Sequence, residues 1–296
     1  MDRHADAVRD AVRRALAEDL GDLDLSLQAD VTSRLALPEA GRGRARMLAK
    51  QAGSLAGMEC ATVAFSMLDP ECRIERLAAD GERVAPGQLV LEVEGLMRAL
   101  LIAERTALNF VQRLSGVATT TRAFVEAVAG TGARILDTRK TTPGMRLLEK
   151  QAVLAGGGCN HRIGLYDQVL LKENHFGFAA PAPYEDVVAH CVAGQDRPVV
   201  AEARSIDEGL AAVRGGAAIV LLDNFAPGEP LRAAVVALRA AARELGREIE
   251  IEASGGVDLR TVRAFAESGV DRISVGALTH SAVAVDFSLL VEGVRA

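Results

Sequence analysis

No stretch of this 296-residue sequence reaches the roughly 20 apolar residues that a bilayer-spanning helix needs. The N-terminal segment MDRHADAVRDAVRRALAEDL is amphipathic and carries acids. It therefore lacks the apolar run of a signal peptide and the acid-poor character of a transit peptide, and a soluble, cytoplasmic protein is expected. Positive charge is also in deficit: 34 Lys and Arg against 40 Asp and Glu leave a net charge of -6 and a pI near 5.5. That balance argues against a general nucleic-acid or anionic-membrane binder, so any basic site must be local. The cysteines Cys60, Cys72, Cys159 and Cys191 show neither CxxC pairing nor metal-ligand spacing, which points to reduced thiols, with no disulfide and no zinc. Lysine is sparse: only Lys50, Lys140, Lys150 and Lys172 occur, and the last three lie between Arg139 and His175. In a chain that otherwise uses arginine, a retained lysine points to chemistry that needs a compact ammonium.

What is present is the composition of an ordinary globular protein, 49% hydrophobic and 25% charged. The length exceeds what one core comfortably fills, so two domains are expected. Ala5 to Asp19 repeats apolar positions at helical spacing and Gly21 follows as a stop. From Gly43 to Gly95, strand-like pieces (RARMLAKQAG, RIERLAAD, QLVLEVEG) surround one helical segment, MECATVAFSMLD. DGERVAPGQLVLEVEG looks like the hairpin of biotinyl carrier domains, but no lysine sits at the next turn, so a plain sheet turn is expected. Leu96 to Gly130 is rich in helix formers, with a handover between two helices expected near Ser115-Gly116.

Beyond Gly132 the pattern changes to six short strands alternating with helices: ARILDT, DQVLLKE, RPVVAEA, AAIVLLDN, EIEIEAS and DRISVGA. Alternation of this kind implies βαβ units around a parallel sheet. The expected fold class is thus α/β, an irregular barrel of fewer than eight strands with a smaller N-terminal α+β domain; a doubly wound or ferredoxin-like sheet is the alternative. The expected borders are 1–115 for the N-terminal domain, 116–280 for the barrel and 281–296 for a C-terminal segment packing back near the N-terminal domain.

Residues that follow strands in such a fold converge on one face. Here the strands end in Asp137-Thr138-Arg139-Lys140, Lys172-Glu173-Asn174-His175, Glu202-Ala203-Arg204, Asp223-Asn224, Ser254-Gly255-Gly256 and Ser274-Val275-Gly276-Ala277. The two glycine-bearing turns, read as lying before helices, suit a phosphate held by backbone N–H groups. Glu202 and Asp223 end consecutive strands and could hold Mg²⁺ or ribose hydroxyls; solvated acids paired to Arg204 are the bland alternative. Between Arg139 and His175 lie Arg139, Lys140, Arg146, Lys150, His161, Arg162, Lys172 and His175. Glycines 156 to 158 place His161 and Arg162 in a loop, and paired arginine forks suit a small dicarboxylate, with a solvated basic face as the alternative.

The blocks ERTALNFVQRLSGVAT, LDTRKTTPGMR, GGGCNHRIGLYDQVLLKENH, EARSIDEG, LLDNF, IEASGGV and ISVGALTHS resemble, in order, those of the quinolinate phosphoribosyltransferase family. The resemblance covers nearly the whole chain and is weakest in its N-terminal third. It implies transfer of phosphoribosyl from phosphoribosyl pyrophosphate to quinolinate with decarboxylation, giving nicotinate mononucleotide, pyrophosphate and CO₂. It further implies Mg²⁺ and a homodimer, with a larger assembly left open. By the resemblance, Arg139, His161, Arg162 and Lys172 hold the diacid and Arg105 is lent across the dimer. Lys140 and Lys172 contact the donor, Thr138 lies in the same substrate loop, and Glu202 and Asp223 lie near Mg²⁺ and the ribose. Ser254, Gly255 and Gly256, with Val275, Gly276 and Ala277, grip the 5′-phosphate. Lys140, Glu202 and Asp223 are the expected catalytic set. Gln151, where an aromatic is expected, and Met145, where Leu is common, depart from the pattern without touching these roles. The rivals are a relative with another acceptor, a Schiff-base lyase using Lys140 or Lys172, and a non-catalytic barrel that binds phosphorylated metabolites.

Overall fold

A computed structural model describes residues 3–293. Twelve strands run in chain order: β1 (Arg42–Ala49), β2 (Gly53–Ser54), β3 (Arg73–Arg76), β4 (Arg83–Val84), β5 (Leu89–Leu96), β6 (Arg134–Leu136), β7 (Val169–Leu171), β8 (Val199–Ala203), β9 (Ile219–Asp223), β10 (Glu250–Ser254), β11 (Arg272–Ser274) and β12 (Phe287–Gly293). The chain divides into two compact units. One takes residues up to Arg122, Thr141–Gly157 and those from Leu278 onward; the other takes Ala123–Lys140 and Gly158–Ala277.

The first unit is built on an antiparallel sheet in the order β12-β1-β5-β3. Along β1, Gly43, Ala45, Met47 and Ala49 are buried while Arg44 points out, the period of two that a half-buried strand imposes. The outward arginines meet acids on neighbouring strands: Arg44 pairs with Glu94 and Arg46 with Glu292. The last strand, β12, takes up the C-terminal residues and zips along β1 from Gly43↔Gly293 to Ala49↔Phe287. The sequence offered no strand there. β4 and β5 belong to different sheets, so the carrier-like segment forms no hairpin; β4 pairs with β2 and β5 with β1 and β3.

The helix Met97–Ala127 runs for 31 residues, about 46 Å at 1.5 Å per residue. It buries Ala103, Ala107, Val111, Leu114, Ala118 and Thr121, a stripe of alternating threes and fours. The handover expected at Ser115-Gly116 does not occur, and the border drawn after residue 115 falls inside this helix. Gly116 is there for close approach: a Cβ would lie 2.3 Å from the Val283 carbonyl oxygen. Ser115 is buried and takes the Ala56 amide on its hydroxyl at 3.0 Å.

The second unit holds the six strands read from the sequence, all parallel, in the order β6-β11-β10-β9-β8-β7. Their Val, Ile and Leu runs are buried on both faces, as parallel strands require. Every strand from β7 to β10 neighbours its successor and β11 returns to β6, which is the cyclic order of a barrel. A doubly wound sheet would reverse direction partway, and this one does not. The seam lies between β6 and β7, each of which has one edge unpaired by any other named strand among the described residues; beside β6 only Cys159 bridges to Leu136. The fold is an α/β structure with an incomplete six-stranded barrel and a smaller N-terminal part. No helix among the described residues is long and apolar enough to cross a membrane.

Candidate active site

Because the six strands run the same way, every chain segment leaving a strand emerges at one edge of the second unit. Glu202 on β8 and Asp223 at the end of β9 lie on the same face, since Glu202 is in register with Leu221 and side chains alternate. Burial, then the Glu202 carboxylate, raise the Asp223 carboxyl above its ordinary range, while Lys172, Lys140 and Arg204 pull it back. The Lys172 ammonium stands 3.5 Å from Glu202, and the Glu173 amide donates to the same carboxylate at 3.3 Å. Lys172 also caps the helix Glu173–Ala179, its amide donating to His175 Nδ1 at 2.9 Å. Beneath them the Tyr184 hydroxyl donates to the Glu202 carbonyl at 2.6 Å, and its ring stacks on Phe176 at 3.7 Å. Burial pushes this phenol up, so it stays a donor. Arg204, which the bland alternative paired with these acids, is paired instead with Glu173 at 2.8 Å.

A second cluster is cationic. Arg139 and Arg162 lie close enough that Arg162, already disfavoured by burial, is further lowered by Arg139, with Asp167 opposing. Arg139 Nε is buried with no hydrogen-bond partner, a guanidinium N–H turned into protein without an acceptor. The loop that carries Arg162 is shaped by Asp167, which accepts from the Ile163 and Gly164 amides at 2.7 and 2.8 Å. Lys140 is exposed beside it, its amide bonded to the Thr138 hydroxyl at 3.0 Å.

Under the arginines lies a buried polar column that the sequence reading did not single out. Asp137, fully buried, accepts the His161 amide at 2.8 Å. His161 Nδ1 stands 2.7 Å from the Arg162 amide and Nε2 stands 3.3 Å from Glu252 on β10. Glu252, fully buried, is held by the Ser274 hydroxyl at 2.5 Å and faces Arg272 Nε at 2.9 Å, an ion pair whose N–H is not aligned for a hydrogen bond. A signal for Glu252 was available: it lies two residues before Ser254, so the two share a face.

The glycine turns differ from each other. Val275-Gly276-Ala277 leads straight into a helical turn, Ala277–His280. Ser254-Gly255-Gly256 does not, because the next helix, Val262–Glu267, begins six residues later. Between them Asp258 ties a turn of its own through the Arg260 and Thr261 amides at 2.9 Å each. Gly255 has φ +101, and a Cβ there would lie 2.2 Å from Asn224 Oδ1. The loop after β10 is thereby keyed to Asn224, itself left-handed at φ 60 and donating from Nδ2 to Asp223 at 2.6 Å.

Thr138, Arg139, Lys140, His161, Arg162, Lys172, Glu202, Asp223 and both glycine turns thus share one edge of one unit. Arg105 does not; it is exposed on the other unit, in a cavity of about 470 Å³ with Glu18, Asp19, Asn109, Arg113 and Met145. In that unit Glu149, fully buried, accepts from Arg113 at 2.8 Å and from the Thr142 amide and hydroxyl at 3.1 and 2.8 Å. Arg113 also donates to the carbonyls of Thr279 and, at 2.9 Å, Ala282.

Residues 30–115 match the N-terminal domain, and 117–290 the C-terminal domain, of quinolinate phosphoribosyl transferase. A Mycobacterium leprae protein named nicotinate-nucleotide pyrophosphorylase [carboxylating] is 39% identical over 290 residues, 96% of this chain and 97% of its own. A Nicotiana glauca protein named quinolinate phosphoribosyltransferase [decarboxylating] 1 is 38% identical over 295 residues, 96% of this chain and 82% of its own. Among solved structures, the nicotinate-nucleotide pyrophosphorylase from Francisella tularensis aligns with a TM-score of 0.86 at 38% identity, covering 97% of both chains.

Proposed function

This chain belongs to the quinolinate phosphoribosyltransferase family, and on that premise we propose how its strand-end edge performs the reaction. The activity is transfer of phosphoribosyl from phosphoribosyl pyrophosphate to quinolinate, with release of pyrophosphate and CO₂ and formation of nicotinate mononucleotide, in de novo NAD biosynthesis. The observation that carries the reading is the Arg139 and Arg162 pair. Two guanidinium cations are held together against their mutual repulsion, and a small dicarboxylate would answer both. His161 and Lys172 complete that pocket. Lys140 and Lys172 face the pyrophosphate of the donor, and the turns at 254–256 and 275–277 hold its 5′-phosphate.

As the ribose-to-pyrophosphate bond breaks, positive charge grows on the sugar and negative charge on the leaving group. Fixed Glu202 and Asp223 on one side and the two lysines on the other answer both changes without reorganising. The ring nitrogen attacks the anomeric carbon and becomes quaternary; the 2-carboxyl then leaves as CO₂, and a proton takes its place on the carbon. The arginines position that carboxylate, and too strong a grip would slow its loss.

Glu202 and Asp223 fit Mg²⁺: two carboxylates that repel each other are relieved by a cation, and hard oxygens are its preferred ligands. No cluster of three acidic, His or Cys side chains suited to a metal occurs among the described residues. Glu202 and Asp223 would hold the ion, which would supply positive charge opposite the pyrophosphate leaving group.

The cavity at Arg105 is read as the part lent to a second copy in a homodimer working in the cytoplasm. Mixing Arg105→Ala with Lys140→Ala should restore turnover that neither shows alone, because a mixed dimer contains one intact site. Incubation with quinolinate, phosphoribosyl pyrophosphate and Mg²⁺ tests the whole, with CO₂ and nicotinate mononucleotide rising together. Turnover of nicotinate in place of quinolinate would sink the acceptor assignment.

A further inference from the structure

We propose that Glu252 is a positioning residue: from beneath the arginines it fixes His161 as a neutral imidazole, with the proton on Nε2 and the Nδ1 lone pair committed to the Arg162 amide. The proposal rests on reading the Arg139 and Arg162 cluster as the diacid site.

The tautomer follows from bonding rules. A backbone N–H only donates, so Nδ1, 2.7 Å from the Arg162 amide nitrogen, must accept. The ring proton then sits on Nε2, which faces the Glu252 carboxylate at 3.3 Å. A second proton on Nδ1 would set N–H against N–H and cost the Arg162 amide its acceptor. Glu252 is not free to act alone, because Arg272 and Ser274 already hold it from β11. β10 and β11 pair Glu252 with Arg272 in register, so the carboxylate that fixes the ring is itself fixed by the sheet.

Two consequences follow. The Arg162 backbone, tied at its amide to His161, is held with the ring, so Glu252 acts on a diacid-binding arginine through two intervening bonds. A neutral imidazole also shapes the pocket without adding another fixed charge, and recognition of both carboxylates falls to guanidinium and ammonium groups. This is the arrangement a site needs when it must bind a carboxylate it will later release as CO₂.

The wild-type protein, labelled with ¹⁵N in its five histidines, gives the first test. The His161 ring signals, identified by their loss in His161→Asn, are expected to show one protonated nitrogen, Nε2, and one bare nitrogen at neutral pH. A proton on Nδ1, or on both nitrogens, overturns the proposal. In Glu252→Gln the Arg162 amide still requires Nδ1 to accept, so the tautomer should persist, while the Nε2 signal should move as its N–H loses a charged acceptor. The KM for quinolinate should rise about tenfold, the effect of losing one charge-assisted hydrogen bond, with the KM for phosphoribosyl pyrophosphate unchanged. Glu252→Asp, which keeps the charge on a shorter stem, should fall between the two. An unmoved Nε2 signal or an unchanged KM for quinolinate in Glu252→Gln would also overturn it. If the wild type fails to turn over quinolinate, the acceptor assignment falls, and the ¹⁵N pattern still decides the positioning role by itself.

Discussion

The two units handle charge in opposite ways. On the antiparallel sheet of the first, Arg44 meets its register partner Glu94 and Arg46 meets Glu292 on the diagonal, opposite signs mutually answered across strands. At the strand ends of the second, like charges sit together: Arg139 beside Arg162, and Glu202 beside Asp223. Paired charges are how a surface stays soluble, and each pair adds little. Like charges held together cost stability and persist where a ligand answers them. The difference locates the site without reference to any relative.

Several substitutions would break or sharpen that contrast. Lys140→Ala should lower kcat/KM for phosphoribosyl pyrophosphate by about 10³-fold, in the range of a lost electrostatic donor, with the melting temperature unchanged. Retained turnover would show that the Lys140 ammonium has no part in the chemistry. In the first unit the strongest test is Arg113→Ala, which leaves the buried Glu149 without its cation. Stability should fall by about 3 kcal/mol, read from the denaturant midpoint at constant slope. Arg162→Ala should raise the KM for quinolinate by about 10²-fold, as for a lost bidentate contact, and stability should not drop because a repulsion is removed with it.

Asp223→Asn is expected to cut activity while slightly raising the melting temperature at pH 7. The sign follows from linkage: a carboxyl whose pKa is raised in the folded state binds more protons folded than unfolded. Its contribution to stability is therefore lost as pH rises from the unfolded value through the folded one, and the penalty is complete above it. The substitution removes the penalty, so the gain should vanish in acid. Arg44→Ala, at an exposed pair, should move neither stability nor activity measurably, and a clear effect there would blur the contrast.

The barrel strands were legible because Val, Ile and Leu runs such as IVLLD at β9 are buried on both faces and carry their signature in composition. β12 was not: FSLLVEG follows the last βα unit and becomes a strand only because β1, about 240 residues earlier, offers it an edge. Gly116 read as a helix stop because glycine commonly is one, and a tertiary contact with Val283 decided otherwise. The strand-end residues were legible through one topological rule. The burial of Glu252 and Asp137 was not, since a buried acid and a solvated one look alike until the chain across from them is known.

The scarcity of lysine has a practical side. Lys150 is 1% exposed, and Lys50 is paired with Asp286 at 3.1 Å. That leaves Lys140 and Lys172, both at the strand-end edge, as the accessible side-chain amines not tied to the sheet of the first unit. An amine-directed acylating reagent, scattered over dozens of sites on most proteins, would act on this one almost as an affinity label. The masses of the two peptides that carry Lys140 and Lys172 could then report whether the strand-end edge is occupied.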